Sequence, residues 1–141
     1  MLKSRKNWNV GINLILIDSN FFINLLDTKD KHHTKAKKIL KKIEKQEKVV
    51  TDGVILESVT LSGSLFGGKI ATALYNNIKD NYTIYNTNHL YDKGMKIHLK
   101  YDGTLSLVDA LLIETMKELK INEIISFDSD FDNKDGVVRI Y

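Results

Sequence analysis

The chain has 141 residues, a formal net charge of +3 and no cysteine, which is one domain's worth of sequence and enough to bury about two-thirds of its unfolded surface. The missing cysteines exclude disulfides, thiolate zinc sites and cysteine nucleophiles, while hard oxygen ligands remain available. After the basic start "MLKSRKNWNV" the apolar run "LILI" stops at Asp18, too short for a signal peptide or a membrane span, so a soluble, cytoplasmic protein with no membrane partner is expected.

In chain order, residues 1–12 read as an N-terminal extension and 13–141 as a single domain. "NLILID" is a strand ending in Asp18, and "SNFFINLLDTKD" a helix directly after it. In "HTKAKKILKKIEKQEK" the apolar Ala36, Ile39, Leu40 and Ile43 recur at helical spacing among lysines, predicting an amphipathic, basic helix. Nine lysines fall between Lys29 and Lys48, so an electrostatic partner should meet this segment. "KVVTD" is a second strand, and "GVILESVTLSGSLF" a helix fading into the small-residue stretch "SGSLFGG", read as a loop or helix break.

"KIATALYNNIKD" is helical, "NYTIYN" a strand, and "NHLYDKGMKIHLKY" a helix interrupted at Gly94. "TLSLVDALLIETMKEL" is a helix, "INEIISFDSDFD" a strand ending in Asp128, and "GVVRIY" a last strand after an Asp135-Gly136 turn. Strands alternate with helices throughout. This predicts an α/β fold with a central, mainly parallel sheet covered by helices on both faces.

Helix 104–119 carries a charge on its apolar face, because Leu105, Leu112, Ile113 and Met116 are the helical neighbours of Asp109. A buried carboxylate needs a partner. Ser106-x-x-Asp109 also fits a capping box, and both readings are compatible with a first-turn residue facing a cleft. Three strands end in an acid, at Asp18, Asp52 and Asp128; each can open a helix or turn, or face the crevice that parallel sheets present at their carboxyl ends. Glu57, near the start of its helix on a face of small and apolar residues, can reach the same crevice.

Asp18, Glu57, Asp109 and Asp128 gathered in one cleft would repel, and no Arg or Lys lies within these motifs to neutralise them. A divalent cation would. Oxygen-only donors suit Mg²⁺ or Mn²⁺, which can activate water and stabilise charge on a phosphate during phosphodiester hydrolysis. Asp130 and Asp132 in "DSDFD" are either accessory acids or a solvated turn.

These segments resemble the PIN-domain nucleases, in particular the VapC-type toxins, over residues 13–141. The similarity rests on "LIDSNFFINLL", on Glu57, on "LSLVDALLIETM" and on the closing "SFDSDF". It implies a three-layer α/β/α fold and metal-dependent endoribonuclease activity, with Asp18, Glu57, Asp109 and Asp128 as catalytic and metal-binding acids and Asn20, Ser126 and Asp130 as supporting polar groups. It further implies an RNA substrate, an antitoxin protein as silencing partner, and a homodimer, for which the stretch Ser62 to Gly68 with Phe66 would suit a close contact. Segment 62–102 matches nothing diagnostic of the family.

Competing readings are a housekeeping RNA-processing nuclease, a non-catalytic RNA- or protein-binding scaffold, and a signalling receiver, the last lacking its acidic pair and lysine. Lys37, Lys38, Lys41, Lys42 and Lys45 are read as RNA-binding through salt-sensitive phosphate contacts, against an ordinary solvated face. His32 and His33 are expected to be exposed, and Ser106 to be a cap, with no activating His beside it.

Overall fold

The structure, a computed structural model, describes residues 13–132 and 138–141. The expected extension 1–12 and the Asp135-Gly136 turn lie outside the described residues.

Among the described residues five strands form one sheet in the order β3-β2-β1-β4-β5, with every neighbouring pair parallel. They are β1 (Leu14–Ile17), β2 (Glu47–Thr51), β3 (Thr83–Tyr85), β4 (Glu123–Ile125) and β5 (Val138–Ile140). All four residues of β1 are buried, as required of a central strand covered on both faces. The helices are α1 (Ser19–Leu26), α2 (His33–Lys42), α3 (Asp52–Phe66), α4 (Gly68–Asn81), α5 (Tyr91–Lys100) and α6 (Leu107–Leu119).

The chain steps from β1 to β2 to β3 in one direction, then returns across the sheet to β4 and β5. Right-handed crossovers therefore put α1 to α4 on one face and α5 and α6 on the other. The packing follows this division, with α1 against α2 and α3, α3 against α4, and α5 against α6. The expected three-layer α/β/α arrangement is the observed one. The order reverses between β1 and β4, so the crevice at their carboxyl ends is the topological switch point, where ligands bind in such sheets.

Several boundaries differ from the sequence reading, among them the end of α1 at Leu26, the start of α6 at Leu107 and the end of β4 at Ile125. Helix α2 ends at Lys42, and β2 begins at Glu47, where the long basic pattern suggested continuing helix. Helix α3 runs unbroken through "SGSLF" and stops at Gly67, whose φ of 93° ends the helix. Ser62 is fully buried and a Cβ on Gly63 would sit 3.6 Å from the Ala71 Cβ, so the small residues let α4 approach α3. Gly94 likewise does not interrupt α5. A Cβ there would come within 2.8 Å of Leu111 Cδ2, so the glycine permits the α5–α6 contact.

Candidate active site

Asp18 leaves the end of β1 and caps α1, its Oδ1 accepting the Ser19 N–H at 2.7 Å. Its other oxygen accepts the Ser126 hydroxyl at 2.8 Å. Ser126 follows β4, is fully buried, and also accepts the Asp128 N–H at 3.0 Å and the Asn20 side-chain amide at 3.3 Å. Asn20 completes the clamp by accepting the Phe127 N–H at 3.0 Å. The strand itself ends at Ile125. Asp128 thus lies in the loop beyond the strand, not at its end, and these bonds hold its backbone over the crevice.

Glu57 comes from the second turn of α3 and accepts the Ser19 hydroxyl. Asp109 comes from the first turn of α6, where the Ser106 hydroxyl caps the helix by accepting the Asp109 N–H at 3.1 Å. The cap and the cleft are both real for this residue, since Asp109 also lines a cavity of about 280 Å³ with Asp18, Glu57 and Asp128. Ser19, Asn20, Asn24 and Ser106 add polar atoms, and Ile23 and Leu61 are the apolar lining residues. No Lys, Arg or His is among the described residues lining this cleft.

That charge imbalance is visible in the carboxyl groups. Burial pushes Asp18 up to about 6, with the Glu57 and Asp128 charges adding and the bonds from Ser126 and Ser19 opposing. Asp109 is pushed up to about 7, first by burial and then by the Asp18 charge, with smaller contributions from Asp128 and Glu57. The Ser106 hydroxyl opposes the shift.

The donor set is carboxylate, amide and hydroxyl oxygen, the chemistry of a hard divalent cation. Among the described residues no three His, Asp or Glu side chains already stand close enough to hold one ion. The four acids nonetheless line one cleft and supply the oxygen donors that such an ion takes.

Other expected residues fall elsewhere. Asp52 faces away from the cleft in function, its Oδ1 accepting both the N–H and the hydroxyl of Thr87 at 2.9 and 2.7 Å. Asp132 forms a two-point ion pair with Arg139, at 2.7 and 2.9 Å, and is not an accessory acid of the cleft. The Asp130 backbone lies in the turn Ser129–Phe131, and its side chain is outside the described residues.

His32 and His33 are half-buried, contrary to expectation. The His32 ring stacks on Phe127 at 4.8 Å, and His33 Nδ1 lies 2.9 Å from the Asn24 carbonyl oxygen. Lys37, Lys38, Lys41, Lys42 and Lys45 are exposed on α2 and the turn after it, and none lines the acid cleft. Ser19 and Asn24 were not anticipated. Asn24 is one helical turn beyond Asn20 on α1, a spacing that the sequence does display.

The PIN domain family model matches residues 15–137. No curated protein matches the chain significantly. Among solved structures, VapC20 of Mycobacterium tuberculosis, a Sarcin-Ricin loop cleaving toxin, is similar with a TM-score of 0.75 and 23% identity over 83% of this chain and 92% of that one. A toxin-antitoxin complex from Klebsiella pneumoniae aligns with a TM-score of 0.66 and 19% identity, covering 88% of this chain and 95% of that chain. VapBC2 of Rickettsia felis, bound to a DNA fragment from its promoter, gives a TM-score of 0.65 at 8% identity, with 90% and 97% covered. At these identities the structures speak for the fold, and the family model, spanning most of the length, speaks for descent: the chain belongs to the PIN-domain family.

Proposed function

We propose that the protein is a divalent-metal-dependent endoribonuclease and the toxin of a toxin-antitoxin pair. The observation that carries the reading is the cleft itself, four carboxylates from four separate segments with no basic side chain among the described lining residues. Such a cluster is costly unless a cation joins it. Asp18, Glu57, Asp109 and Asp128 would hold Mg²⁺ or Mn²⁺, with Asn20 and Ser126 orienting Asp18 and Asp128. The bound ion would supply an activated water and stabilise charge growing on the phosphate.

The chain's own contribution is positional. Ser126 fixes one oxygen of Asp18, the Ser19 N–H fixes the other, and the Ser19 hydroxyl orients Glu57. Exposed lysines on α2 would attract the RNA backbone. The toxin assignment draws on the toxin-antitoxin proteins among the similar structures. A homodimer fits the same reading, and the exposed Leu56, Leu61 and Leu65 on α3 offer apolar surface to a second copy.

Cleavage of single-stranded RNA with Mg²⁺ or Mn²⁺, and none with EDTA, is the expected result, and Asp18→Asn and Asp109→Asn should each abolish it while the fold persists. Cleavage that survives EDTA, or either substitution, overturns the assignment. Growth arrest on expression of the wild type, absent with Asp18→Asn, separates a toxin from a housekeeping nuclease.

A further inference from the structure

A second pocket, about 490 Å³ in volume, opens where the ends of α2 and α4 meet β2, and shares no lining residue with the acid cleft. Lys37 and Lys41 reach it from α2, Lys48 from β2, Asn77 and Asn81 from α4, and Tyr82 from the residue after α4. The size suits a small ligand. Glu44 is the one acid among its lining residues, against three ammonium groups.

The lining has three chemistries. Lys37 and Lys41 make no ion pair among the described residues, so their charges are available to an anion. The Tyr82 ring is held in place, with the Phe22 ring against it edge-on at 5.2 Å and the Lys48 ammonium 5.6 Å from its centroid. Asn77 and Asn81 are exposed; the Asn81 amide donates one bond to the Asn77 backbone carbonyl at 3.1 Å, which leaves its oxygen and second N–H, with the Asn77 amide, to a ligand. Ammonium groups suit phosphate, the aromatic ring suits a base face, and amides suit base edges. An acidic protein segment would use the lysines and leave the ring and amides idle.

Helix α2 joins this pocket to the cleft. At its start His33 contacts the carbonyl of Asn24, which lines the cleft, and Lys37 and Lys41, about one and two turns further along the helix, line the pocket. Lysines line the route.

We propose that this pocket is a second, non-cleaving RNA subsite that holds one nucleotide of a strand whose scissile bond lies in the acid cleft. The inference rests on the ribonuclease reading above. It adds a contact away from the cut, with amides able to discriminate between bases.

The test is fluorescence anisotropy with a single-stranded RNA of about 20 nucleotides, in EDTA to prevent cleavage, at several salt concentrations. Three double variants are compared: Lys37→Glu with Lys41→Glu, Asn77→Ala with Asn81→Ala, and a charge-matched control on α5, Lys93→Glu with Lys96→Glu. Melting curves verify that each is folded. The pocket lysine pair should weaken binding at least tenfold and reduce the salt slope by about 1.4, the value for two lost single-strand phosphate contacts. The asparagine pair should weaken binding about threefold to tenfold with an unchanged slope, because amide contacts release no counterions.

If the control pair loses as much affinity as the pocket lysines, or the asparagine pair binds like the wild type, the pocket is not an RNA subsite. Loss of polyglutamate binding with RNA binding intact would identify an acidic-protein surface and overturn the proposal equally. A wild type that cuts RNA alongside pocket variants with full affinity refutes the subsite alone. A wild type that neither binds nor cuts RNA refutes the ribonuclease reading with it.

Discussion

Ser126 donates its hydroxyl to Asp18 across 2.8 Å, and through that one oxygen the end of β1 is tied to the loop after β4. These strands flank the point where the sheet order reverses. The same hydroxyl accepts the Asp128 N–H. Ser126→Ala should therefore loosen two of the four acids together. Loss of a buried bond to a charged group predicts a fall in stability of about 1–3 kcal/mol. Urea unfolding in EDTA measures it, and a variant as stable as the wild type would show that the hydroxyl does not hold the site together.

Asp52 provides the contrast. It follows β2 as Asp18 follows β1, yet its carboxylate is spent on Thr87, a fully buried residue in the loop after β3. Asp52→Asn should cost about 1–2 kcal/mol by weakening these bonds. The thermal shift produced by Mn²⁺ should be unchanged. A reduced shift would put Asp52 in the metal site.

The difference between these two aspartates could not be read from the sequence, because both sit after a β-branched run and before a helix. What separates them is the partner, 108 residues away for Asp18 and 35 for Asp52. Long-range partners leave no periodic trace. Asp109 was legible for the opposite reason: a charge at helical spacing from Leu112, Ile113 and Met116, with Leu105 just before the cap, all of them buried in the fold, conflicts with its immediate surroundings. The cap at Ser106 was legible too, being local. The path of α3 through "SGSLF" was not, because contact with α4 favours small residues where intrinsic propensity favours a break. The histidines were misread as exposed for a similar reason, since the aromatic partner of His32 is Phe127 in the loop after β4.

Gly94 follows the same logic and can be tested. An exposed mid-helix glycine replaced by alanine gains about 1 kcal/mol. Here the new methyl would meet Leu111 Cδ2 at 2.8 Å and Leu107 Cδ1 at 3.2 Å, and overpacking of that kind costs about 1–3 kcal/mol. Gly94→Ala should leave the melting temperature unchanged or lower it. A rise of several degrees would mean that α5 can move away from α6 freely.

Asp109 carries the sharpest test of the metal reading. Its carboxyl is moved from the ordinary 3.8 up to about 7, chiefly by burial and then by the Asp18 charge, and Asp18 itself is moved up to about 6. Between about 4 and 7 the folded state binds more protons than the unfolded chain, so the metal-free protein loses stability as the pH rises through this window and regains it on acidification. Thermal melts in EDTA should accordingly give a higher melting temperature at pH 5 than at pH 8. Asp109→Asn removes the charge, and should flatten that profile and raise the pH 8 melting temperature by about 2–4 °C, the equivalent of roughly 1 kcal/mol. If capping were the residue's whole role, asparagine would be neutral or slightly destabilising. Mn²⁺ at a hundredfold excess over its dissociation constant should stabilise the wild type by roughly 2.7 kcal/mol, because the ion binds only the folded cluster. The variant should gain clearly less. Equal metal-induced shifts in the two proteins would remove Asp109 from the ligand set and leave the Ser106 cap as its only function.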